Sequence, residues 1–333
     1  MKNNITMRDI ANRIGVSSVT VSKALNDKEG VSDELKEKIK TLALEMGYRF
    51  NAVAKSMKEG LSYNIGIIIP ERYSGGNFYL KFYQHITTML EQYNYYGILQ
   101  VLSAEDERKL QLPRTYYDSK VDGFIILGQI SKKYIDLLTE NKIPKIFLDF
   151  YTDHSDIDSI ITDNFYGVYE LTNYLVKLGH KDIAFVGNIN STSSIQDRFL
   201  GYYKSLLEHN IDLKENYVIN DRDEQGNYID LNIPDPLPTA FVCNCDQIGY
   251  HLMNKLKALG YFVPEDCSVV GFDNDIYSTL TEPPLTTVEV NIEEMSKVAV
   301  EFIIEKVKNE HKNSGRVLIK GKIIHRESVK PIE

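Results

Sequence analysis

The chain has 333 residues, 43% hydrophobic and 26% charged, which is ordinary for a globular protein with a small domain and a larger body. No run of about eighteen apolar residues occurs, which excludes a membrane-spanning helix. The polar start of the chain lacks the apolar segment of a signal peptide, so we expect a cytoplasmic protein without a membrane partner. The net charge of −9 is uneven, because residues 1–60 hold 11 Lys+Arg against 8 Asp+Glu. A basic start on an acidic remainder suits a nucleic-acid-binding head on a body with another task.

Residues 6–26, TMRDIANRIGVSSVTVSKALN, predict two short helices joined by a tight turn. Thr6 can cap the first helix with Asp9 completing a capping box, and Gly15 can end it. Ser17 then caps a second helix. The outward face of that helix carries hydroxyls, an amide and one lysine, from Thr20, Ser22, Lys23 and Asn26. The pattern is that of a helix-turn-helix, whose second helix enters the DNA major groove; an ordinary helical hairpin is the alternative.

Two further segments complete the predicted head. Ser32 can cap a third helix, SDELKEKIKTLALEMGY, so residues 1–50 are expected to form a compact all-α DNA-binding domain. Residues 51–63 follow as a linker with room for one or two helical turns, too short to be stable unless something packs on them. Met57 lies there between two lysines and suits insertion into the minor groove. The alternative is a flexible linker whose methionine packs on the body.

From Ile65 onward, short apolar runs alternate with amphipathic helical stretches, which predicts parallel sheets with helices on both faces. The runs are IGIII (65–69), ILQVL (98–102), GFIIL (123–127), KIFLD (145–149), SIIT (159–162), IAFVG (183–187), TAFVC (239–243) and SVVGF (268–272). The main helical stretches are 78–93, 165–178, 196–209, 246–259 and 292–307. This number of strands indicates two doubly wound lobes, with ligand binding at the carboxyl ends where the lobes face each other.

The motifs of several enzyme classes are missing from the sequence. No dinucleotide or phosphate-binding glycine loop, zinc-protease motif or nucleophile elbow follows any strand, so we expect neither catalysis nor a cofactor. The three cysteines are too few and too sparse for a disulfide framework, and no further ligands are spaced for a metal site. Strand-end carboxylates are more informative: Asp149 and Asp273 follow buried runs and, facing a cleft, can accept hydrogen bonds from hydroxyls.

Many segments of the chain resemble one family. ITMRDIANRIGVSSVTVSKALN, VSDELKEKI and MGYRFNAVAKSMK are similar throughout to the head of the lactose/galactose repressor (LacI/GalR) family. The body carries, in that family's order, IGIIIP, VDGFIILG, LGHKDIAFVG, QDRFLGYYKSL, VPEDCSVVGFDN and PPLTTVEVN. The resemblance implies a homodimeric repressor that binds a roughly palindromic operator. It also implies a body like the periplasmic sugar-binding proteins, in which a small sugar in the interlobe cleft switches operator affinity.

The resemblance also implies a division of the body, residues 64–333. The N-lobe would comprise about 64–161 and 292–320, and the C-lobe about 162–291 and 321–333. One departure is expected in YIDLNIPDPLPT, where the family usually has a helix. Prolines at 234, 236 and 238 forbid a helix interior, so we expect an irregular link there.

The resemblance assigns DNA contacts position by position. Ser18, Val19 and Lys23 match the family's base-reading positions, and Ser17 and Thr20 match its phosphate contacts. Met57 falls where the family most often has a leucine that enters the minor groove. The full predicted DNA-binding set is Thr6, Ser17, Ser18, Val19, Thr20, Ser22, Lys23, Asn26, Asn51, Ala54, Lys55, Met57 and Lys58.

Effector contacts are implied in the same way. Arg198, in an RxxGY segment, matches the family's effector-binding arginine, and Asp273 matches its second anchor. Tyr228 falls near an aromatic residue on which a sugar ring stacks. The strand-end Asn-Asp pair of the family reads Cys245-Asp246 here, so Asp246 is expected to substitute for the amide. The full predicted effector set is Tyr73, Ser74, Phe78, Asp149, Arg198, Tyr228, Asp246 and Asp273.

Three alternatives stay open on the sequence. The nearest is a repressor with a purine or phosphosugar corepressor in place of a sugar. A ligand-capture receptor of the transport type is opposed by the N-terminal head. A doubly wound enzyme is opposed by the missing catalytic motifs.

Overall fold

The computed structural model describes residues 5–48, 56, 59–223, 226–309 and 313–332. These residues belong to two compact units, Met1–Leu61 and Ser62–Glu333, which we call the head and the body. None of the helices in the described ranges is long and apolar enough to cross a membrane.

The head contains the three predicted helices, α1 (Met7–Ile14), α2 (Ser18–Leu25) and α3 (Asp33–Glu45). They pack around a core in which Ile10, Val21, Ala24 and Ile39 are fully buried. The predicted caps at both ends of α1 are confirmed: Thr6 and Asp9 form a capping box, and Gly15 ends the helix at φ 77°. The two-helix unit α1–α2 is therefore a helix-turn-helix, as predicted from the sequence.

The N-lobe of the body is a six-stranded parallel sheet in the order β11-β5-β4-β3-β1-β2. Its strands are β1 (Asn64–Pro70), β2 (Tyr96–Leu102), β3 (Gly123–Leu127), β4 (Lys145–Leu148), β5 (Ser159–Thr162) and β11 (Arg316–Ile319). The accompanying helices are α4 (Asn77–Gln92), α5 (Ala104–Lys109), α6 (Arg114–Tyr117), α7 (Lys132–Glu140) and α12 (Ile292–Val307).

The C-lobe is a four-stranded parallel sheet in the order β7-β6-β8-β9. Its strands are β6 (Ile183–Val186), β7 (Val218–Ile219), β8 (Ala240–Cys243) and β9 (Ser268–Val270), with helices α8 (Asn164–Lys177), α9 (Ser193–Glu208), α10 (Asp246–Ala258) and α11 (Tyr277–Leu280). An antiparallel pair, β10 (Thr287–Glu289) and β12 (Lys322–Ile324), completes the body. The chain passes between the lobes after β5, after β10 and after β11.

The eight strands and five long helices predicted for the body are confirmed, with ends that shift by up to three residues. The short strands β7, β10, β11 and β12 and the helices α5, α6, α7 and α11 were not predicted, because segments of two to nine residues carry too little periodicity. The irregular link is confirmed: residues 229–238 contain neither helix nor strand. The three prolines account for this, since each lacks the N–H that a helix interior needs.

Candidate functional site

A cleft of about 540 Å³ lies where the carboxyl ends of the two parallel sheets meet. The N-lobe contributes aromatic and polar side chains from the helical turn after β1, from the start of α4 and from the segments after β3 and β4: Tyr73, Phe78, Tyr79, Gln129 and Asp149. The C-lobe contributes side chains from α9 and from the ends of β8 and β9, among them Arg198, Asn244, Cys245 and Asp273. The sheet topology thus brings the two halves of one site together at the predicted edge.

Arg198 is held on several sides at the floor of the cleft, where it is 6% exposed. Its Nε donates to Oδ1 of Asn164 at 2.8 Å, and its Nη1 donates to the backbone carbonyl of Asn244 at 2.5 Å. Its Nη2 lies 3.3 Å from Oδ1 of Asp273, and the guanidinium lies over the ring of Phe272 at 3.8 Å from the centroid. These contacts fix the orientation of the guanidinium before any ligand arrives, which reduces the entropy lost on binding.

Asp149 and Asp273 approach this guanidinium from opposite lobes. Both have positive φ, 68° and 110°, a backbone region that aspartate adopts more readily than most residues. The hydroxyl of Tyr79 donates to Oδ2 of Asp149 at 2.8 Å. Burial raises the pKa of Asp149 to about 6, although the nearby Arg198 lowers it. Burial likewise raises the pKa of Asp273 to about 7, against the opposing charge of Arg198 and with a further increase from Asp149.

Six of the eight predicted effector residues line the cleft: Tyr73, Phe78, Asp149, Arg198, Tyr228 and Asp273. Two predicted residues do not. The hydroxyl of Ser74 donates to the carbonyl of Glu71 in the turn before α4. Asp246 is fully buried beside the cleft and accepts from the hydroxyl of Thr287 at 2.5 Å and from the amide of Asp275 at 2.8 Å. Asp246 therefore supports the Asp273–Asp275 loop, and its side chain does not line the cleft as the prediction requires.

Several cleft residues were missed from the sequence. Tyr79 follows Phe78 in the same helical turn, and this adjacency was an available signal. Asn244 is held by hydrogen bonds from its Nδ2 to the carbonyl of Val186 and to Asp221. Arg222 follows β7, and that two-residue strand is too short to recognise in the sequence. No signal in the sequence indicated that Arg222 would reach the cleft, because the packing of the C-lobe alone places the loop that carries it.

The predicted DNA-reading face lies on α2 of the head. Ser18, Val19 and Lys23 are exposed there, and 66% of Val19 is accessible. The hydroxyls of Ser17 and Thr20 bond each other at 2.9 Å, while Ser17 caps the helix. The remaining predicted contacts of the linker lie outside the described residues, namely Asn51, Ala54, Lys55, Met57 and Lys58.

Residues 6–51 match the profile of the bacterial regulatory proteins of the lacI family, and residues 172–329 match that of the periplasmic binding protein-like domain. The chain belongs to the LacI family. It is accordingly a DNA-binding transcriptional regulator, with the helix-turn-helix in the head and a body of the periplasmic-binding-protein type.

Curated relatives match along nearly the whole chain. The probable transcriptional repressor ExuR of Bacillus subtilis is 29% identical over 340 residues, which cover 98% of each chain. The ribose operon repressor of Haemophilus influenzae is 27% identical over 332 residues, covering 97% of this chain and 98% of the relative. Both relatives are named as repressors, and neither is named as an enzyme.

Solved structures show the same fold. The lac repressor dimer bound to operator and the anti-inducer ONPF superimposes with a TM-score of 0.77 at 23% identity, covering 98% of this chain and all of the other. The complex of the regulator CelR with cellobiose gives a TM-score of 0.71 at 21% identity, with the same coverage. A LacI-family regulator from Enterococcus faecium with bound ribose gives 0.66 at 24% identity and covers 81% of this chain.

Proposed function

We propose that this regulator is a homodimeric repressor of a palindromic operator, and that a small sugar bound in the interlobe cleft switches its operator affinity. The observation that carries this proposal is the division of one polar site between two lobes. Asp149 and Tyr79 come from the N-lobe, while Arg198 and Asp273 come from the C-lobe. A ligand that contacts both pairs favours one arrangement of the lobes over another, which is what an allosteric effector requires.

The chemistry of the cleft suits a polyhydroxylated ligand. Carboxylates accept hydrogen bonds from sugar hydroxyls, and a guanidinium donates to them. The rings of Tyr73, Phe78 and Tyr228 border the same space and offer apolar faces to a sugar ring. Sugars occur in the names of three similar proteins, the ribose operon repressor and the regulators crystallised with cellobiose and with ribose.

The coupling element of the proposal is the linker at residues 51–63. When it is helical in the dimer on DNA, Met57 enters the minor groove and the two heads occupy successive major grooves. An effector that changes the lobe arrangement separates the two linkers, and operator affinity falls. The coupling free energy expected for such a switch is about 1–3 kcal/mol.

The effector half of the proposal is tested with Arg198→Ala in gel shifts on DNA from upstream of the gene. The variant should bind DNA but lose its response to the sugar, because the guanidinium contacts the ligand. Arg114→Ala is the matched control, since its side chain is 91% exposed and lies outside the cleft. A full response in the Arg198 variant would refute the proposed site.

The DNA half is tested with Met57→Ala. Operator affinity should fall, while sugar binding by the body stays intact. An unchanged operator affinity would show that insertion of Met57 into the minor groove is not part of the mechanism. Specific binding should also weaken steeply with salt, because phosphate contacts release counterions.

The alternatives give different outcomes in the same gel shifts. A purine or phosphosugar corepressor would strengthen operator binding when added, whereas a sugar inducer weakens it. A transport-type receptor would bind its ligand and show no specific complex with DNA.

A further inference from the structure

We propose that the effector carries a protonated amine, as an amino sugar does, and that this amine lies against Asp149 and Asp273. This inference rests on the proposed function, because it names the class of effector for the same cleft. Three observations support it: each arginine in the cleft has a carboxylate partner, Asp149 is buried without a salt bridge among the described residues, and aromatic rings lie beside Asp149.

The cations that line the cleft already have carboxylate partners. The pairs are Arg198 with Asp273 at 3.3 Å, Arg222 with Asp221 at 2.7 Å and Arg72 with Glu107 at 3.4 Å. An anionic ligand that bound Arg198 or Arg222 would compete with the buried carboxylate already paired with that guanidinium, and a displaced carboxylate would be left as an uncompensated buried charge. The arrangement therefore disfavours acidic effectors such as a uronate or a sugar phosphate.

Asp149 is the carboxylate left over. It is 8% exposed, and no salt bridge reaches it from the parts of the chain that the structure describes. Tyr79 donates to its Oδ2, and Arg198, the cation whose charge acts on it, is already paired with Asp273. Two buried carboxylates thus face one guanidinium, and the floor of the cleft is net negative when both are ionised. Asp275 also lines the cleft, and its partner Lys81 is 4.0 Å away.

Aromatic rings complete the environment of an ammonium group. The cleft is bordered by Tyr73, Phe78, Tyr79, Tyr228 and Tyr277. The rings of Tyr73 and Tyr79 pack at 5.1 Å between centroids, next to the carboxylate of Asp149. Ring faces attract cations and carboxylates neutralise them, and a site that combines both is suited to an amine. A neutral sugar would satisfy the hydrogen bonds, but only an ammonium group supplies a positive charge to the two carboxylates when both are ionised.

The test compares matched sugars on the full-length protein at pH 7. Calorimetry and thermal shift are run with glucosamine, glucose and glucuronate, and with the corresponding galacto and manno triplets. In at least one configuration the amino sugar should bind at least tenfold more tightly than the neutral hexose, and the uronate should give no shift. The inference is overturned if no amino sugar raises the melting temperature, or if the neutral or acidic sugar binds as well in every configuration.

Asp149→Asn provides the second arm of the test. The amide keeps the shape and an acceptor for Tyr79 but removes the charge. The ratio of the affinity for the amino sugar to the affinity for the neutral hexose should therefore fall toward one. Asp212→Asn, at an exposed position of the C-lobe, should keep the preference of the original protein. A preference that survives in the Asp149 variant would also overturn the inference.

The outcomes separate this inference from the proposed function. If neutral hexoses bind the protein and weaken its operator binding, and amino sugars bind no more tightly, the proposed sugar-controlled repressor is supported and the amine inference is overturned. If no sugar of any charge binds while DNA binding persists, both proposals about the effector fail.

Discussion

Replacing Asp149 by asparagine should stabilise the body above pH 7, although the residue lies in the proposed effector site. The reason is that burial raises the pKa of this carboxylate from 3.8 to about 6. The folded state therefore binds more protons than the unfolded state between about pH 4 and pH 6. Stability from this group is present at low pH and is lost as the pH rises through the folded pKa. Asparagine has no such loss.

The size of the effect follows from that difference in pKa. At about 1.4 kcal/mol for each pH unit, the upper limit is about 3 kcal/mol at pH 8. Water entering the cleft reduces the desolvation, so we expect about 1–3 kcal/mol. For a body of this size, 1 kcal/mol corresponds to about 2–4 °C in melting temperature. The variant should therefore melt about 2–12 °C higher at pH 8, and about half of that gain should remain at pH 5, which lies between the unfolded and the folded pKa of Asp149.

The assay is thermal unfolding of the full-length protein at both pH values, with the transition of the body followed in the absence of ligand. Asp212→Asn is the control, because that side chain is exposed and should change the melting temperature by less than 1 °C at either pH. A melting temperature of the Asp149 variant that is equal to or below the original at pH 8 would refute the reasoning. A gain of the same size at both pH values would point to packing instead of charge.

Three other variants test the remaining structural arguments. Thr6→Ala removes the capping box of α1 and should lower the stability of the head by about 1 kcal/mol in urea unfolding followed by circular dichroism; an unchanged midpoint would contradict the cap. Gly201→Ala would place a Cβ 2.1 Å from the carbonyl oxygen of Phe165, so the free energy of unfolding of the body should fall by about 3 kcal/mol or more, or the variant should fail to accumulate. In the control Gly75→Ala the new Cβ meets no atom within 4 Å, so the free energy of unfolding should stay close to that of the original protein. Lys23→Met should reduce the slope of log affinity against log salt by about 1 in gel shifts, and an unchanged slope would contradict a phosphate contact by this lysine.

Local signals in the sequence determined most of the head. The capping hydroxyls, the glycine that ends α1 and the apolar spacing of three helices all act within a few residues. The predicted boundaries of α1, α2 and α3 were therefore right to within about two residues. Alternating apolar runs likewise determined two parallel sheets, since a strand buried on both faces needs a continuous apolar segment wherever it lies.

The tertiary structure alone decided how the cleft is assembled. Asp149 and Arg198 are far apart in the chain, and their meeting depends on the passage of the chain between two sheets. The position of Asp246, one residue beyond Cys245, could not be settled locally, because hydrogen bonds to Thr287 and to the loop after β9 turn its side chain away from the cleft. The tertiary structure also decides the charge pairs. The sequence around Arg198 does not indicate its partner, but folding brings the distant Asp273 to within 3.3 Å of its guanidinium. Sequence spacing sets which residues share a helix face or a strand end, but the balance of charge and desolvation in a buried site arises from contacts between remote segments.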